Sequence, residues 1–117
     1  MKTIIIIVIL IALFVWRLRP VKGVRTITTI QLKNELGDKN KQYIDVRTPG
    51  EFRGNAIKEF KNIPLDQLAN KAGSLSKEQE VIVICQSGMR SSRAAKLLKN
   101  LGFKKITNVK GGMSAWR

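Results

Sequence analysis

The stretch Val81-Ile-Val-Ile84, followed at once by Cys85-Gln-Ser-Gly-Met-Arg90, decides how this chain is read. Four β-forming residues without polar alternation predict a central strand covered on both faces. After the loop, Ser91-Ser-Arg-Ala-Ala-Lys-Leu-Leu-Lys-Asn-Leu101 sets Ala94, Ala95, Leu97, Leu98 and Leu101 on one helical face, and Gly102 terminates that helix. The only cysteine in the chain thus falls between the strongest strand and a well-formed helix.

Working outward, Thr28-Thr-Ile-Gln31 reads as a capping box that opens a short helix ending near Gly37, with Ile30, Leu32 and Leu36 available for burial. Tyr43-Ile-Asp-Val46 is a short strand, closed by the turn signal Thr48-Pro-Gly50. Leu65, Leu68, Ala69 and Ala72 repeat at helical spacing after Pro64, and Ile106-Thr-Asn-Val109 is a last strand. Gly111-Gly-Met-Ser-Ala-Trp116 forms a turn into a terminal helical fragment, in which Gly111, Gly112 and Trp116 serve turning and packing. Strands alternating with helices predict an α/β fold with a mainly parallel sheet.

Composition narrows the chemistry. The 117 residues contain one Cys and no His, which excludes a disulfide framework, a Ser-His-Asp triad, a Cys-His pair and an HExxH metal site. No metal or other cofactor is expected, so another kind of group must activate Cys85. In an open α/β sheet, function gathers at the carboxyl ends of the strands. There the backbone N–H groups of residues 86 to 90 and the positive end of the following helix would surround the sulfur, Arg90 would add a full charge, and Gly88 would permit a tight curl. Such an environment lowers a thiol pKa and binds anions at the same spot. Taken alone, Cys85 would read as the buried end of a strand, because free cysteine is usually buried. The whole loop favours a nucleophile.

Cys85-Gln-Ser-Gly88-Met-Arg90-Ser91, with Asp45-Val-Arg47, Glu51-Phe52, Asn62-Ile-Pro64 and Gly111-Gly-Met-Ser-Ala-Trp116, closely resembles a single-domain rhodanese, of the sulfurtransferase family. The resemblance covers nearly all of residues 26–117 and implies a three-layer sandwich with a central sheet flanked by helices. It also implies a persulfide mechanism in which the Cys85 thiolate takes a sulfane sulfur from a small anionic donor such as thiosulfate. The sulfur then passes to an acceptor such as cyanide or a protein thiol. By the same resemblance, Gln86, Ser87, Gly88, Met89 and Arg90 hold the transferred sulfur and the donor. Arg47 is a further candidate for anion recruitment, although Asp45, Arg47 and Glu51 read better as an ion-pair set fixing the turn. Four residues separate Cys85 from Arg90, whereas cysteine-dependent phosphatases use five, and the shorter loop favours sulfur. The chain departs from the family pattern at Ala56-Ile57-Lys58-Glu59, where a His-Ile-x-Gly step is usual; loss of that glycine predicts strain at a position favouring positive φ. A membrane-tethered interaction module with the same fold and incidental catalysis is the alternative.

Residues 4–16 form an apolar run without a polar side chain. Extended to residues 1–18 at about 1.5 Å per residue, a helix would reach roughly 27 Å, the thickness of a thin hydrocarbon core, with Lys2 and Arg17 snorkelling. The sequence therefore predicts one transmembrane helix over 1–18, a basic linker over 19–25 and a domain over 26–117. Arg17, Arg19, Lys22 and Arg25 place that domain on the cytoplasmic side of a cell membrane, the anchor being single-pass. A cleaved signal peptide is the rival, against which the basic residues stand after the apolar run. Of the net +14, the first 25 residues carry +5 and the domain +9. Dispersed basic residues and few aromatics argue against nucleic acid. The linker charges suit an anionic membrane leaflet, the domain charges would set up a positive field around the active loop, and a membrane-protein partner is a further expectation.

Overall fold

The computed structural model describes residues 1–17 and 23–117. In chain order the elements are α1 (Lys2–Arg17), β1 (Val24–Ile27), α2 (Thr29–Glu35), β2 (Gln42–Asp45), α3 (Pro49–Gly54) and β3 (Lys61–Asn62). They continue with α4 (Leu65–Lys71), a short 3-10 turn, β4 (Val81–Ile84), α5 (Met89–Asn100), β5 (Ile106–Val109) and α6 (Gly112–Ala115). The sheet has the order β1-β5-β4-β2-β3, and every pairing is parallel. β4 is central, as expected, and its four residues are fully buried.

The two-residue period of β4 builds two cores. Val81, Val83 and Cys85 face one side with Ile44, Val46 and Ile106, covered by Leu68 of α4 and by Ala94, Ala95 and Leu98 of α5. Ile82 and Ile84 face the other with Ile27, Tyr43 and Val109, covered by Leu32 of α2 and Met113 of α6. The result is the three-layer arrangement expected. At the end of α5, Gly102 takes φ +96° while its N–H and that of Phe103 bond back to Lys99 and Leu98. This is a Schellman motif, sealed by packing of Leu98 and Phe103 in the first core.

Several expectations change. Val24 and Arg25, read as linker, belong to β1, an edge strand whose middle residues Arg25 and Thr26 are exposed. Thr48-Pro-Gly50, read as a turn, opens α3, with Thr48 as N-cap and Pro49 in the first helical turn. Ile30 of α2 is exposed, as is Ala69 of α4. Around Ala56–Glu59 no strain is present: no described non-glycine residue has positive φ, and the Phe60 N–H closes a turn on the Ile57 carbonyl at 3.0 Å. Glu59 is accommodated because this turn does not use the left-handed region that would demand glycine.

The expected span is also corrected. Helix α1 has 16 residues, about 24 Å of rise, and among the described residues no helix is long and apolar enough to cross a membrane. Its side chains from Ile4 to Val15 are exposed. Leu18 and most of the predicted linker, residues 18–22, lie outside the described residues.

Candidate active site

Cys85 leaves the carboxyl end of β4, and the chain curls through Gln86, Ser87 and Gly88 into α5. Gly88 is the N-cap of that helix at φ +106° and has no side chain with which to cap it. The sulfur takes that place. The Gly88 N–H donates to Cys85 Sγ at 3.0 Å, and the Ser91 hydroxyl lies 3.2 Å from the same atom. Burial pushes the Cys85 thiol up. Hydrogen bonding by the Ser91 hydroxyl and by the amides of Ser91, Gly88 and Ser87 outweighs it and holds the thiol below its ordinary value.

The loop is seated on α6. The Met113 N–H donates to the Cys85 carbonyl and the Ser114 N–H to the Gln86 carbonyl, each at 2.9 Å. Such close approach requires Gly112, since a Cβ there would stand 2.2 Å from the Cys85 carbonyl oxygen. Gly112 of the C-terminal motif is thus a backbone seat for the loop that follows Cys85. Gln86 is tied down as well: its Nε2 donates to Ser114 Oγ at 3.2 Å and its Oε1 accepts from Arg47 at 3.4 Å. Ser87 and Met89 are exposed at the loop surface.

The two arginines divide. Arg47 is buried, and its Nε and Nη2 grip the Asp45 carboxylate at 2.8–3.1 Å. Its remaining N–H groups reach the carbonyls of Glu51 and Asn55 and the side chain of Gln86. All five donors are occupied within the fold, which fits the ion-pair reading of Arg47 with Asp45 and leaves no N–H free for an anion in this structure. Glu51 does not join that ion pair through its carboxylate. It meets Arg90 across two bonds of 2.7 and 2.9 Å. The Arg90 guanidinium, with the Thr48 backbone N–H next in importance, holds the Glu51 carboxyl at about 2. Arg90 also lines a pocket of about 430 Å³ with Val46, Thr48, Pro49, Pro64, Leu65, Asp66 and Gln67.

Of the loop residues named from the sequence, Ser87 and Gly88 bring their amides to the sulfur, while the Gln86 side chain bonds Arg47 and Ser114, Arg90 pairs with Glu51, and Met89 is exposed. Two contacts lie outside the sequence reading: Ser91 with the sulfur, and Glu51 with Arg90. Ser91 had a signal, being the first Ser after the loop arginine on the helix that begins there. The Glu51–Arg90 pair joins residues 39 apart, and nothing local in the sequence reveals it.

This fold, with a thiol in an amide cradle at the carboxyl end of the central parallel strand, defines an α/β domain built for nucleophilic sulfur chemistry. A family model described as the rhodanese-like domain matches residues 28–117. The chain belongs to the rhodanese-like sulfurtransferase family. It is 37% identical over 110 residues to YqhL of Bacillus subtilis, covering 94% of this chain and 83% of that protein. A rhodanese-like domain protein from Staphylococcus aureus superimposes with a TM-score of 0.74 at 36% identity, over 80% of this chain and 91% of that one. The human single-domain sulfurtransferase TSTD1 superimposes with a TM-score of 0.70 at 26% identity, covering 80% and 96%.

Proposed function

We propose that this protein moves a sulfane sulfur from a thiosulfate-like donor to a thiophilic acceptor through a persulfide on Cys85. The observation that carries this reading is the Cys85 sulfur held at 3.0 Å from the Gly88 N–H at the start of α5. In the first step the thiolate attacks the outer sulfur of the donor. A new S–S bond forms, the donor's own S–S bond breaks, and sulfite departs with the electron pair. The first-turn amides of α5, which lack partners inside the helix, stabilise the negative charge on the persulfide. Arg90 supports the anionic donor. An acceptor nucleophile then attacks the terminal sulfur, and Cys85 leaves as the thiolate. Because the chain has no second cysteine, release uses an external nucleophile.

Incubation of the full chain with thiosulfate, followed by mass spectrometry, is expected to show one added sulfur that Cys85→Ser abolishes. Cyanide should then remove it as thiocyanate. A folded wild-type protein that takes up no sulfur overturns this reading and favours the interaction module.

Membrane attachment through α1, with the domain on the cytoplasmic side, is proposed on the exposed apolar surface of Ile4–Val15 and the basic residues that follow. Ile7→Asp with Ile11→Asp should move the chain from the membrane fraction to the supernatant. A Cys introduced at exposed Lys58 in Cys85→Ser should resist an impermeant thiol reagent on intact cells, and labelling there would reverse the topology.

A further inference from the structure

Ser91 is fully buried in the first turn of α5, and its hydroxyl stands within reach of two acceptors. Cys85 Sγ lies at 3.2 Å and the Gly88 carbonyl oxygen at 3.1 Å. The hydroxyl has one hydrogen and cannot serve both. The Gly88 carbonyl does not depend on it, since the Ser92 N–H already donates there at 3.1 Å as the first bond of the helix. The sulfur is different. As a thiol, Cys85 can donate its own hydrogen to Ser91 Oγ, leaving the hydroxyl hydrogen on Gly88. As a thiolate it only accepts, and a charged acceptor outcompetes a carbonyl that is already bonded.

We propose that the Ser91 hydroxyl is a rotating donor that turns from the Gly88 carbonyl to the Cys85 sulfur when the thiol ionises, and turns back once that sulfur carries a persulfide. No proton is transferred by Ser91. The thiol proton leaves to solvent, and the hydroxyl keeps its hydrogen throughout. In the loaded state the inner sulfur is bonded on both sides and uncharged, while the charge sits on the outer sulfur. The inner atom is then a poor acceptor, and the donor returns to Gly88. Ser91 thereby favours the thiolate only while that thiolate is needed.

Charged groups around the sulfur set the rest of its ionisation. Arg90 of α5 is paired with Glu51 of α3 and shares a pocket with Asp66 of α4. Arg47 is paired with Asp45 at the end of β2, and α6 presents no titratable side chain. None of these touches Ser91 in the hydrogen bonding of the site, so a Ser91 substitution isolates the hydroxyl.

This inference deepens the sulfur-transfer reading, but its test reads ionisation alone. Cys85 is the only cysteine, so thiolate absorbance in the ultraviolet reports one group; Cys85→Ser supplies the blank. Burial pushes the phenol of Tyr43 up, which keeps tyrosinate absorbance to higher pH. In the full chain, Ser91→Ala should move the thiolate midpoint up by about one pH unit, a roughly tenfold loss of thiolate below the midpoint. Ser91→Thr, which keeps a hydroxyl, should return most of that shift, and far-ultraviolet circular dichroism checks that each variant is folded. A folded Ser91→Ala with an unmoved midpoint overturns the inference, as does a Thr variant displaced as far as Ala. Persulfide formation with no midpoint shift refutes the rotating donor alone; a shift without persulfide refutes sulfur transfer and leaves the donor in place.

Discussion

β2 and β4 are neighbouring parallel strands, and at the carboxyl end of each the chain passes through a short loop into the N-terminus of a helix. At α3 the chain satisfies its own helix end. Thr48 Oγ1 accepts from the Glu51 N–H at 3.2 Å, Glu51 Oε1 accepts from the Thr48 N–H at 3.1 Å, and Pro49 removes one donor. The loop before it is locked by the Asp45–Arg47 pair and by Asn62, whose Nδ2 donates to the carbonyls of Asp45 and Arg47. At α5 the N-cap is a glycine, no side chain caps the helix, and the Gly88 amide points at a sulfur three residues earlier. Helix starts attract negative charge for the same reason in both places. One end is closed by its own side chains; the other has no side-chain cap and turns its Gly88 amide to the Cys85 sulfur.

The largest expected difference lies at the closed end. Asp45→Ala leaves the Arg47 guanidinium buried without its carboxylate, and urea unfolding should show a loss of about 3–5 kcal/mol. A loss under about 1 kcal/mol would mean that Arg47 finds another partner and that the β2 end is not a lock. Removing the α3 cap is milder. Thr48→Ala should cost about 1 kcal/mol by the same measurement while the Cys85 thiolate midpoint stays in place. Movement of that midpoint would show the two helix ends to be coupled, against the division drawn between them.

Glu51 is the bridge between the ends, since it caps α3 and holds Arg90 of α5. The ion pair is about a third exposed on each side, so solvent screening limits it to about 1 kcal/mol or less. Its pH dependence is the sharper test. Glu51 titrates at about 2 in the fold against an ordinary 4.5, so its contribution is complete above about 4.5 and is lost as pH falls through about 2. Glu51→Gln should flatten the unfolding midpoint across that acidic window and leave it little changed near neutrality. An unaltered acid slope would show that the pair is not what Arg90 relies on.

Legibility followed the range of the interactions. The capping box at Thr28, the helix after Pro64 and the Schellman end at Gly102 are signals within a few residues, and each appears where the sequence put it. Thr48-Pro-Gly-Glu51 carried an equally local capping box but read as a turn, because Pro-Gly is also a turn signal and the helix is only six residues long. β1 escaped because Arg25 and Thr26 face solvent at a sheet edge, where apolar patterning is weak.

By itself, the sequence determined that the chemistry here would proceed without imidazole or disulfide, that Val81–Ile84 would be the central strand, and that Cys85 would stand before a helix start. Those conclusions rest on residue type and short spacing. Only the tertiary structure decided that Arg47 pairs with Asp45 without the Glu51 carboxylate, that Glu51 holds Arg90, and that Gly112 seats the loop. It also decided that α1 is a 16-residue helix and not an established span. These depend on which distant segments the parallel sheet brings side by side, and charge pairing or backbone approach across such distances leaves no periodic mark in the chain.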